Sequence, residues 1–102
     1  MTDTVPILAG FIVWPDDTVA EYPGNDRDNP VTGRLPGAYD ELREAGVPIN
    51  STFPVSFPDV LDLIVWGDGT AAAYSGDEPR RQSMLFATVA PFLNRWNAWK
   101  SA

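Results

Sequence analysis

The chain has 102 residues, carries fourteen Asp and Glu against seven Lys and Arg for a net charge of −7, and contains neither cysteine nor histidine. That length supports one hydrophobic core, and the missing residue types exclude disulfide and thiolate chemistry along with the commonest general base and metal ligand. An acidic surface disfavours contact with nucleic-acid phosphates, no apolar run approaches a membrane span of ~20 residues, and residues 1–9 lack a secretory pattern. The expectation is a single cytoplasmic domain, 1–102, with no membrane and no direct nucleic-acid partner.

The first element is a β-hairpin over residues 5–24. Phe11, Ile12, Val13 and Trp14 form an apolar β-rich run that meets Pro15, Asp16 and Asp17 and continues as a second strand. A three-residue loop of this kind predicts a type I turn whose last residue is left-handed. The register that follows places Trp14 opposite Thr18, Ile12 opposite Ala20 and Gly10 opposite Tyr22 on one face, with Phe11, Val13 and Val19 on the other. Residues 23–34 are polar and rich in turn formers, which reads as a loop. A short helix follows over 35–46, with Leu35, Tyr39 and Leu42 on one side and Gly46 as its stop. Pro48, Pro54 and Pro58 make 47–58 an extended connection.

A second hairpin, 57–76, repeats the first. Sliding the chain by 52 positions gives nine identities in twenty, including Ile12 on Ile64, Val13 on Val65, Trp14 on Trp66, Asp16 on Asp68 and Tyr22 on Tyr74. Chance gives about one or two at ordinary residue usage. The second turn is Gly67, Asp68 and Gly69, and in both copies the turn aspartate suits hydrogen bonding to nearby amides. Both faces of each hairpin are apolar, so the sheet needs cover on both sides. Asp62, which replaces Gly10 of the first copy, is the one charge inside an apolar strand; it needs a donor such as Tyr74, Arg80 or Arg81, or else an edge position in solvent.

The last element is a longer helix, capped by Asp77, with Pro79 in its first turn and Leu85, Val89, Phe92, Trp96 and Trp99 at helical spacing. Pro91 kinks or splits it near Thr88. Met84, Phe86 and Leu93 add apolar surface outside the main stripe. The fold class expected is α+β in ββαββα order: a tandem ββα repeat forming a four-stranded antiparallel sheet packed with a short central and a long C-terminal helix.

Without His or Cys, catalysis would fall to carboxylates such as Asp16, Asp62 and Asp68, and nothing in the sequence sets the distance between them. Asp16, Asp17, Asp26 and Asp28 do not match a calcium loop, so no metal or cofactor is expected. Asn50, Ser51 and Thr52 match a glycosylation acceptor only formally. The function expected is binding: a small acidic module that engages a protein partner, as an inhibitor, an immunity factor or a phage or bacterial accessory protein. The candidate contact residues are Trp14, Tyr22, Trp66, Tyr74, Asp62, Trp96 and Trp99, since Trp and Tyr dominate interface hot spots. The alternatives are a nucleic-acid mimic, a homodimeric or larger structural assembly, and a carboxylate-dependent enzyme.

Overall fold

The computed structural model describes residues 6–24, 28–49, 59–73 and 81–101. Its elements are β1 (Ile7–Val13), β2 (Thr18–Pro23), β3 (Val31–Arg34), α1 (Ala38–Glu44), β4 (Leu61–Trp66), β5 (Ala71–Ala73) and α2 (Ser83–Ser101). The fold is α+β, with one antiparallel sheet in the order β3-β2-β1-β4-β5. The expected four strands are five. Residues 31–34, expected in a loop, pair with β2 from Thr18 opposite Arg34 to Glu21 opposite Val31. The strand forms because the outer edge of β2 offers unpaired backbone groups, which a neighbouring segment satisfies whatever its own weak propensity.

The first hairpin has the expected register, with Gly10 opposite Tyr22 and Ile12 opposite Ala20. Trp14 and Thr18 close the loop through a 2.9 Å backbone bond, and Asp17 donates its amide to the Trp14 carbonyl from a left-handed φ of 70°. The second hairpin has the same geometry: Ile64 lies opposite Ala72, Trp66 bonds the Thr70 carbonyl, and Gly69 takes φ 80°. β1 and β4 run antiparallel at the centre of the sheet, with Phe11 opposite Leu63.

Both helices pack on one face of the sheet. Phe11, Val13, Val19, Leu61, Leu63 and Ala71 meet Ala38 and Leu42 of α1 and Val89, Phe92 and Trp96 of α2 in one core. Phe11 and Phe92 touch edge to face at 5.5 Å between ring centroids, a favoured aromatic geometry. α1 ends in a Schellman motif, with the Val47 amide bonded to the Leu42 carbonyl and Gly46 to that of Arg43 around a left-handed Gly46. Arg95 ties the helices together through Glu41 and the Pro36 carbonyl.

Two expectations for the last helix are corrected. It begins at Ser83, after the region of Asp77 and Pro79, because Gln82 exchanges two backbone hydrogen bonds with Ala71 and so holds extended geometry. It is also one helix through Pro91, so the split expected near Thr88 does not occur. Asp77 and Pro79 themselves lie outside the described residues. No described helix is long and apolar enough to cross a membrane.

Candidate binding cleft

The expected contact residues do not form one patch. Trp14 directly follows β1 and Trp66 ends β4, and because the two strands are antiparallel these residues stand at opposite ends of the central pair, roughly 20 Å apart at strand rise. Tyr22 and Asp62 share their face, away from the helices, whereas Trp96 and Trp99 belong to α2 on the other side. Tyr74 and Arg80 lie outside the described residues. Asp62 is 5% exposed and sits on an interior strand opposite Ile12, so an edge position in solvent does not explain it. Arg81, one donor expected for it, instead pairs with Asp68 and stacks over the Trp66 ring at 4.8 Å.

The turn aspartates act locally. Asp16 and Asp68 each accept the amide two residues on, from Thr18 at 3.0 Å and Thr70 at 3.1 Å. The threonine side chains hold both carboxyls below their ordinary value, with smaller help from Arg34 and Arg81 respectively. Both are exposed, at opposite ends of the sheet. Asp17 acts at longer range, since its carboxylate accepts the amides of Gly37 at 3.0 Å and Tyr39 at 3.1 Å and so fixes the start of α1 against the hairpin turn. No group of three carboxylates among the described residues could hold a metal ion.

A site the sequence did not reveal lies between α2 and the sheet. It is a cleft of about 370 Å³, floored by Ala9 and Phe11 of β1 and Val65 of β4 and walled by Phe86, Ala90 and Leu93 of α2. Phe11 and Phe92 set the helix at its distance from the sheet, and the short side chains of Ala9 and Ala90 leave the space between unfilled. A β-bulge shapes its mouth. The register with β4 shifts between Ile7 and Ala9, so the neighbours Leu8 and Ala9 both line the cleft, where a regular strand would point them to opposite faces. Leu8 is 56% exposed and continues the apolar surface outward.

The polar side of the cleft is Glu21, with Asn94 and Asn97 along α2. Glu21 follows Val19 at even spacing, so its side chain points toward the helices and is buried. Burial of a carboxylate requires donors, and the Trp96 indole Nε1 supplies one at 3.0 Å while the Lys100 ammonium supplies another. Both fall on Oε1. Trp96 thereby has a defined role beside the cleft, and Trp99 stacks on it at 5.0 Å with its outer ring seated over Gly33 of β3. The signals available in the sequence were the shared parity of Val19 and Glu21 and the i, i+3 spacing of Asn94 and Asn97. Comparison with protein-family models, with curated proteins and with solved structures finds no match.

Proposed function

We propose that this chain works by binding a protein partner rather than by catalysis: a small acidic module of the kind that serves as an inhibitor, an immunity factor or a phage or bacterial accessory protein. The cleft beneath α2 carries the reading. It is an apolar recess within the size range of ligand sites, it opens to solvent beside exposed Leu8, and it has a few polar groups at its margin. The net charge of −7 favours a basic partner and speeds its approach. A partner of a different kind is also favoured over pairing through the β3 edge: that strand has four residues and stands between Pro30 and Pro36, which lack amide donors. We further read the two hairpins as copies of one ancestral unit related by a pseudo-dyad, which the central register supports.

The test is selection of peptides from a random display library on the intact protein. Enrichment of sequences that join apolar residues to Lys or Arg, bound more weakly by a variant with the cleft filled, Ala90→Phe, is the expected result. Failure to enrich any peptide, or enrichment of acidic ones, would overturn the reading.

A further inference from the structure

We infer that the cleft is built for a basic segment of a partner protein, accepting one large apolar side chain between the sheet and α2 while Glu21 receives the cation of an adjacent Lys or Arg. This rests on the reading of the cleft as the binding surface and adds the chemistry of its occupant. Three observations converge. The floor and helix wall are apolar, so the inserted group must be apolar. The one ionised group in the wall is a carboxylate, and both of its hydrogen-bond donors, Trp96 and Lys100, fall on Oε1, so among the described residues Oε2 takes none. A carboxylate accepts through both oxygens, and a charge-assisted bond is roughly twice as strong as a neutral one. Finally, Asn94 and Asn97 sit one helical turn apart along the rim, where their amides offer both donors and acceptors to a main chain laid across the opening.

The experiment titrates the intact protein with three capped tripeptides, Lys-Phe-Lys, Gln-Phe-Gln and Glu-Phe-Glu, following the Trp96 indole and the Asn94 and Asn97 side-chain amides by NMR. The Lys peptide is expected to move these signals and to bind about tenfold more tightly than the Gln peptide, a difference of ~1.4 kcal/mol. Glu21→Gln, which keeps an acceptor for the Trp96 indole, should bring the two peptides to equal affinity, and Ala90→Phe should abolish binding of both. A Lys preference that survives in Glu21→Gln would come from the overall negative field and would overturn the inference while leaving a basic protein partner in place. Absence of shifts at Trp96, Asn94 and Asn97 with every peptide would also overturn it; selected library peptides that still bind elsewhere would then preserve the protein-binding reading alone.

Discussion

Phe11 and Leu63 face each other directly across β1 and β4, and they are also the two residues that occupy the same place in the two hairpins, 52 positions apart. From Ala9 to Val13 the pairing maps onto itself under that shift: Ala9 lies opposite Val65 and Val13 opposite Leu61, and Leu61 and Val65 stand 52 positions after Ala9 and Val13; the bulge between Ile7 and Ala9 ends the correspondence. Val19 pairs with Gly33 of β3, and Ala71, 52 positions on, pairs with Gln82 through an isolated bridge.

The central pair should therefore be the most strongly coupled site in the sheet. Phe11→Ala is expected to cost about 3–5 kcal/mol and Leu63→Ala about 2–5 kcal/mol, because both are buried in the core cluster. The double variant should lose less than the sum, by about 0.5–3 kcal/mol, since each truncation relaxes the cavity left by the other. Urea unfolding of the four proteins measures this, and simple additivity would show that the two side chains do not share a packing site.

Asp17 separates turn geometry from helix capping. It bears left-handed strain at φ 70° and contributes two hydrogen bonds to the start of α1. Asp17→Gly removes the bonds and the strain, whereas Asp17→Ala removes the bonds and keeps the strain, so Ala should be less stable than Gly by about 1–2 kcal/mol. Asp17→Asn, which tolerates the left-handed region and retains one acceptor, should be the mildest of the three. The order of denaturation midpoints decides the matter: equal midpoints for Gly and Ala would mean that the turn carries no strain.

The hairpins were legible because a three-residue loop fixes which residues face each other, and the apolar run before each turn fixes which strands exist. The helix over 35–46 was legible through Gly46, whose left-handed φ of 101° only a residue such as Gly adopts readily, although its regular part is shorter, Ala38–Glu44. β3 was not legible: Val31, Thr32, Gly33 and Arg34 have no alternating pattern, and only the open edge of β2 makes them a strand. The cleft was hidden for a related reason. It is made of what two alanines, Ala9 and Ala90, fail to fill, and no local pattern records a space between elements far apart in the chain.

Gly33 owes its identity to Trp99. A methyl group placed there would come within 2.1 Å of the indole, so Gly33→Ala must displace the ring and is expected to cost about 1–3 kcal/mol. The same substitution in a Trp99→Ala background should cost far less, because the obstruction is gone. Thermal unfolding of the two pairs measures the difference; an equal penalty in both backgrounds would place the origin in the β3 backbone.

Acid should destabilise the protein through its two turns. Asp16 and Asp68 both have carboxyls held below 3.8, so the folded state binds fewer protons than the unfolded one; their contribution is complete above that value and is lost as pH falls through the lower folded values. The double variant Asp16→Asn and Asp68→Asn should show a flatter loss of stability below about pH 4, with little dependence on pH near neutrality. Parallel acid titrations followed by circular dichroism provide the comparison, and superimposable curves would remove the two turns as a source of acid lability.

Glu21 links stability to the proposed binding chemistry, and its substitutions should divide the two. In Glu21→Ala the buried Trp96 indole loses its acceptor, a penalty of about 1–3 kcal/mol for an unpaired buried donor, and the space left beside it enlarges the cleft. In Glu21→Gln the acceptor remains while the pairing with Lys100 becomes a hydrogen bond to a neutral amide, so stability should fall by less. The solvent access of the Lys100 side chain, 30% exposed, keeps that second loss small. Urea unfolding should therefore rank the intact protein above Gln and Gln above Ala, with the Trp96 indole proton resonance retained at its hydrogen-bonded position in Gln and shifted in Ala. A Gln variant as unstable as Ala would mean that the charge itself, held between Lys100 and the Trp96 indole, is what fixes the end of α2 to the sheet.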